Sequence, residues 1–409
     1  MFDQQARLDR VLARHPDAVV VEPLPGRPAL IRRDQILVAG RDASTAGDLV
    51  RRWYDSRDEG PGVTRLRLRP TAKVDVCELT ALLAGGGLTT GGPAPGGRSR
   101  RVIAAPNHLV LGQPMWWSGP ADRPRPAAPL PAPRAAVPAR RDVTVAILDT
   151  GLSPHPWYAD TGWYREQRAE VAEVLDADLD FDLDAQAGHG TFIAGVVLAQ
   201  APAARLRARR VIGGDGVGDE LEVIRALHRI AEQGRADVVN LSLGCHTYDD
   251  RPSPVLAQAV AALGRRTVVV ACAGNAATDR PFWPAAMKPV IGVAALDGAD
   301  RAWFSNHGWW VDACAQGVDV SSTFVSFDGT RPPVDGVDPD LFQGYATWSG
   351  TSFAAPMVAG RIAGRAAAEG VDAPTAADLV LDPGSHRVLP DLGVVVDSAK
   401  GTDCQHAMA

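Results

Sequence analysis

Apolar and polar positions fall into short blocks along the chain, and their rhythm changes about a third of the way in. In the early part, "VTRLRLR" (63–69) alternates strictly, the period of a strand with one buried face. "QILVAG" (35–40) and "RVIAAPNHLVLG" (101–112) are further strand candidates. "STAGDLVRRWYD" (44–55), with Ser44 or Thr45 as N-cap, and "DVCELTALLAG" (75–85) have helical spacing. The order strand–helix–strand–helix–strand predicts a small α+β module. Nothing in it has catalytic spacing: His108 and Cys77 stand alone and read as structural.

Beyond residue 142 the strands become unbroken apolar runs. "VTVAILDTG" (143–151), "RLRARRVIG" (205–213), "ADVVNLSLG" (236–244), "TVVVACAGN" (267–275) and "PVIGVAALD" (289–297) follow one another. Such runs belong to strands covered on both faces. Helical patterns separate several of them, notably "DELEVIRALHRIAEQG" (219–234), with Leu221, Ile224, Leu227 and Ile230 on one face. The pattern predicts an α/β fold with a doubly wound, mostly parallel sheet. In such sheets ligands bind at the carboxyl ends of the strands, where Asp149 and Asn275 fall.

Composition refines this picture. A Gly-rich stretch (84–100) and a Pro-rich one (119–141) interrupt the periodic segments; proline makes the second a semi-extended, solvated linker. The expected division is residues 1–118, a linker over 119–141, and a large domain over 142–409. With 42 Lys and Arg against 48 Asp and Glu, the net charge of −6 argues against nucleic-acid binding. No run approaches the length of a membrane helix, and the N-terminus lacks the pattern of a secretory signal, so a cytoplasmic location is expected. Five cysteines (Cys77, Cys245, Cys272, Cys314, Cys404) have no close pairing, so neither structural zinc nor a disulfide framework is expected.

Three residues change the reading when taken together. Asp149 ends an apolar strand, His189 sits between Gly188 and Gly190, and Ser352 opens a helix in "TWSGTSFAAPMVAG". Singly they read as a turn residue, a tight-turn histidine and an N-cap. Jointly they are the types a nucleophilic triad needs: a hydroxyl, a base to take its proton, and a carboxylate to orient the base. Pro356 falls in the first turns of that helix, where its missing N–H costs least.

"AILDTGL", "GHGTFIAG" and "SGTSFAAPMVAG", in that order, resemble the three signature segments of the subtilisin-like serine proteases. The resemblance covers about residues 143–400 and implies a peptide-bond hydrolase needing no cofactor or metal. It implies Asp149, His189 and Ser352 as the triad and Asn275 as oxyanion donor beside the Ser352 N–H. It also implies that an extended peptide or protein substrate pairs between Gly216, Val217, Gly218 and Ser242, Leu243, Gly244. Gly274 would line the pocket for the residue before the cut, and Asp279 nearby would favour a basic residue there. The N-terminal region is similar to the ferredoxin-like prodomain of these proteases, implying an intramolecular partner that occupies the cleft; a permanent accessory domain is the alternative. Two other readings compete, a catalytically silent binding protein on this fold and a sedolisin-like acid peptidase, which the His189 motif disfavours.

The chain also departs from the family. The Asn-rich loop that binds calcium in many relatives is missing after His189, so no equivalent site is expected, and Phe192 stands where histidine is common. The acidic run over 166–184 reads as a solvated surface. On a strand, Asp176, Asp178, Asp180, Asp182 and Asp184 would all point one way and invite a cation.

Overall fold

The computed structural model describes residues 4–88, 101–112, 123–234, 236–330 and 340–397. The N-terminal part runs α1 (Gln4–Arg14), β1 (Ala18–Val21), β2 (Ala29–Ala39), α2 (Ala43–Val50), β3 (Tyr54–Gly60), β4 (Val63–Leu68), α3 (Val76–Gly85) and β5 (Ala104–Leu111). Its strands lie in the order β3-β4-β2-β5, each pair antiparallel, with β1 added on β2. Ile36, Val38, Leu66, Leu68, Leu79 and Leu83 fill the core between this sheet and its helices.

The helix expected over 44–55 ends at Val50, and the following residues form β3. Six of the seven residues of "YDSRDEG" are polar or Gly, so this edge strand shows no hydrophobic alternation; its pairing is set by the turn at Gly62, whose φ is 68°. Neither Ser44 nor Thr45 caps α2. Asp42 precedes it, with its carboxylate accepting from the Ile103 N–H at 3.1 Å.

After residue 122 the chain is extended and mostly exposed, but it is tied down. The short β6 (Arg125–Pro126) pairs with the strand Leu341–Trp348, and the Arg140 N–H donates to the Ala367 carbonyl at 2.7 Å.

The nine-stranded large sheet includes β7 (Thr144–Asp149), β8 (Arg205–Arg210), β10 (Val238–Leu241), β11 (Val268–Cys272), β12 (Val290–Asp297) and Ala313–Gln316, while β9 (Val217–Asp219) lies outside it. The order β8-β7-β10-β11-β12 is parallel throughout. The chain winds from β7 to β8 on one side, then returns past β7 to β10. The crevice at this reversal is where such sheets bind ligands, and Asp149 ends β7 there.

Two helices behind the crevice carry the candidate chemistry, His189–Gln200 and Thr351–Glu369. The first is almost wholly buried, which explains its lack of a polar stripe. They pack closely because a Cβ on Gly364 would lie 2.5 Å from the Gln200 carbonyl oxygen.

Candidate active site

Asp149, His189, Asn275 and Ser352 converge at the carboxyl ends of β7 and β11 and the N-termini of these two helices. All four are buried. His189 Nδ1 lies 2.7 Å from Asp149 Oδ1, which also accepts from the Thr150 N–H at 2.8 Å. With its Nδ1 hydrogen facing the carboxylate, the imidazole keeps Nε2 as a proton acceptor. Trp348 and Phe353 box the ring at centroid distances of 5.3 and 5.4 Å, and Phe192 packs on both aromatics. Phenylalanine at position 192 thus extends an apolar wall around His189.

Gly190 permits the approach that sets this geometry. A Cβ there would lie 2.2 Å from the Gly151 carbonyl oxygen, so helix and strand end could not meet so closely with any larger residue.

Ser352 is the second residue of its helix, where backbone N–H groups lack intrahelical partners and the local potential is positive. Its hydroxyl donates to the Ser242 carbonyl at 3.4 Å, while the Ser242 hydroxyl donates to the Ser352 carbonyl at 2.7 Å. Asn240 Nδ2 in turn donates to the Ser242 hydroxyl at 3.0 Å. Ser242 therefore acts on the serine directly as well as lying at the end of β10.

Asn275 follows Gly274, whose φ of 94° turns the chain out of β11. Its Oδ1 accepts from both the N–H and the hydroxyl of Thr351, each at 2.8 Å. The Thr351 hydroxyl also accepts from the Gly274 N–H at 3.1 Å. Oδ1 is thus committed to Thr351, which fixes the way the amide faces. Thr351 is a site residue that sequence reasoning passed over, although it lies inside the "SGTS" segment.

Of the six residues expected to flank a substrate, Gly216, Val217, Gly218 and Gly244 bond to the end of β5 and Gly112. β5 pairs antiparallel with β9, Val110 opposite Gly218 and Leu111 opposite Val217. On its other side Leu111 bridges Gly244, and the Gly112 N–H donates to the Gly216 carbonyl at 2.9 Å. Leu243 is buried. His108, expected to be structural, pairs with Glu220 at 3.0 Å across the same contact, with both side chains buried.

Next to Ser352 and Asn275 lies a cavity of about 40 Å³, walled by Gly274, Cys272 and Phe282 and roofed by Leu30, Leu111 and Gly112. Asp279 does not line it: that residue is exposed, and its carbonyl accepts from the Trp310 indole at 3.0 Å. The expectation of an acidic wall is therefore corrected to an aromatic one. Cys77, Cys245, Cys272 and Cys314 are buried free thiols, and burial pushes Cys272 up to about 12. Cys404 lies outside the described residues.

The acidic run does not form a strand, because the carboxylates cap local turns. Asp176 accepts from the Asp180 and Phe181 N–H groups at 3.1 and 3.0 Å, and Leu179 and Phe181 adopt positive φ. Carboxylate oxygens of Asp176, Asp178 and Asp180 lie within 4.8 Å of one another, but Arg14 already pairs with Asp178 and Asp184. Among the described residues no helix is long and apolar enough to cross a membrane.

Comparison with known proteins places the chain in a family. The subtilase family model matches residues 140–372, and the chain belongs to that family. It is 36% identical over 230 residues to a thermophilic serine proteinase of Bacillus sp. strain AK1, covering 53% of this chain and 50% of that protein. It is 35% identical over 232 residues to subtilisin BL of Lederbergia lenta, covering 54% and 75%. The match thus spans about half the length of the first of these relatives. Among solved structures, fervidolysin from Fervidobacterium pennivorans, a keratinolytic enzyme related to subtilisin, aligns over 92% of this chain and 61% of its own. Its TM-score is 0.59 at 20% identity, a likeness of fold.

Proposed function

We propose that the chain is a serine endopeptidase held latent by its own N-terminal module. Ser352 attacks the scissile carbonyl; His189 takes its proton and returns it to the leaving amine; Asp149 orients the imidazole. Asn275 Nδ2 and the Ser352 N–H hold the oxyanion, stabilising charge that exists only during reaction. The substrate enters as an extended strand between residues 216–218 and 242–244, so affinity comes from backbone hydrogen bonds and specificity from side-chain pockets.

The observation that carries this reading is the buried Asp149–His189 pair, whose imidazole packs on Phe353 next to Ser352 at a helix N-terminus, with Asn275 locked to the neighbouring Thr351. Latency is supported by β5, whose backbone takes the hydrogen bonds a substrate strand would need. In this state the Ser352 hydroxyl turns to Ser242, and catalysis requires it to turn to His189 Nε2.

The Ser352→Ala chain should fold normally, fail to hydrolyse peptides and fail to react with a fluorophosphonate. Labelling that survives the substitution refutes the assignment.

A further inference from the structure

Glu173 is a carboxylate outside the acidic turns, and the triad chemistry makes no direct use of it. The residue keeps some exposed surface, but its carboxyl group lies deep between the exit of β7 and the start of the His189–Gln200 helix. Three hydroxyls converge on it. Thr150 donates to Oε1 at 2.5 Å, and Thr191 and Ser153 donate to Oε2 at 2.6 and 2.9 Å. Thr150 directly follows Asp149, and Thr191 lies two residues after His189.

The Thr150 hydroxyl also accepts from the Gly190 N–H at 2.9 Å, and the Thr191 hydroxyl from the Ser153 N–H at 2.7 Å. Each of these hydroxyls therefore ties the Glu173 carboxyl to a backbone N–H across the site. Burial, with the Asp149 charge adding to it, raises the Glu173 pKa, while the three hydroxyls work in the opposite direction. The titratable groups that face it are Asp149, Tyr158 and Tyr164; among the described residues no basic side chain is paired with it.

Asp149 needs such support. Its Oδ2 is buried without a hydrogen-bond partner, so its orientation toward His189 depends on Oδ1 and on the backbone of Thr150. We propose that Glu173 is a positioning residue for the Asp149–His189 pair: through Thr150 and Thr191 it staples the end of β7 to the first turn of the histidine helix. This rests on the peptidase reading for its purpose, but not for its test.

The test uses the full chain. In Ser352→Ala protein with isotope-labelled histidine, Glu173→Leu, which removes both acceptor oxygens, should shift the His189 ring resonances and weaken the downfield signal of its Nδ1 proton on Asp149. Glu173→Gln, which keeps an acceptor of similar shape, should restore most of the signal. Unchanged His189 resonances in folded Glu173→Leu protein overturn the proposal. These signals are read without turnover, so the result stands or falls apart from peptidase activity. Should Glu173→Leu fail to fold, Thr150→Val in the Ser352-containing chain cuts the tie to Gly190 while leaving Glu173 in place. Its kcat should then fall about tenfold with KM within about twofold, since loss of alignment acts on the transition state. A kcat equal to that of the unsubstituted chain overturns the proposal.

Discussion

Leu111 and Gly244 exchange both backbone hydrogen bonds: the Leu111 N–H donates to the Gly244 carbonyl at 2.8 Å, and the Gly244 N–H donates to the Leu111 carbonyl at 3.1 Å. This exchange joins the N-terminal module to the strand end beside Ser352, and β9 closes on the other side. On the proposed reading, a substrate strand must displace it. Leu111→Pro removes the donor at 111 and cannot complete the pair. At about 1 kcal/mol per hydrogen bond, the loss should raise the initial rate of peptide hydrolysis by roughly 5- to 30-fold. Rates equal to those of the unsubstituted chain, at matched active-site concentration, would rule out β5 as the inhibitory strand.

The Asn275 amide is anchored by its oxygen, so its nitrogen is oriented before substrate arrives. Asn275→Leu should lower kcat by about 10²–10³, the loss found when that donor is removed from subtilisin, with little change in KM. Thr351→Val leaves the amide intact but removes one of its two anchors, and should give a smaller loss of kcat. A change confined to KM in either variant would place Asn275 in substrate binding instead.

Much of this site was legible in the sequence because each motif coincides with a local structural need. Asp149 ends an apolar strand, Gly188 and Gly190 allow the close turn at His189, and Ser352 opens a helix. What was not legible depends on distant contacts. β3 reads as the tail of a helix because its residues are nearly all polar, and only pairing with β4 makes it a strand. The acidic residues look like one face of a strand until their carboxylates are seen capping turns. Glu173 sits in the same acidic stretch, and nothing in its neighbours' identities separates it from the solvated ones. Its hydroxyl partners lie 18–23 residues away.

Acid should destabilise the fold through two histidines. His155 accepts from the Trp157 N–H at Nδ1, 3.2 Å away, and Nε2 lies 3.0 Å from the Gly344 carbonyl, so the fold requires its neutral form. Burial holds His155 down at about 4; burial and the nearby Arg280 do the same for His246. An unfolded histidine titrates near 6.5, so below that pH the unfolded chain takes up protons that the native chain refuses. Stability from these residues is therefore full above about pH 6.5 and declines as pH falls toward 4. Between pH 7 and 5 each contributes a loss of up to about 2 kcal/mol. Urea unfolding of Ser352→Ala protein should show this slope, and His155→Phe should flatten it. A midpoint independent of pH over this range would contradict the neutral assignment.

Phe282 should set which residue precedes the cut. A Cβ on Gly244 would lie 2.4 Å from its ring, and one on Gly274 would lie 3.1 Å from it, so the ring already occupies the space between the two walls. The cavity beside Ser352 measures about 40 Å³ with Leu30, Leu111 and Gly112 over it, and Phe282 forms one of its walls. A small side chain such as alanine fits that space, whereas leucine or phenylalanine would have to push the ring aside. In competition between paired peptides, alanine at this position should be cleaved at least about tenfold faster than phenylalanine, the discrimination expected of a tight apolar pocket. Because both peptides compete for the same enzyme, the ratio is independent of how much of it is held latent. Phe282→Gly should reverse the preference by opening the floor while leaving alanine cleavage intact. Equal cleavage of the two peptides by the unsubstituted chain would show that the ring yields and that specificity is set elsewhere.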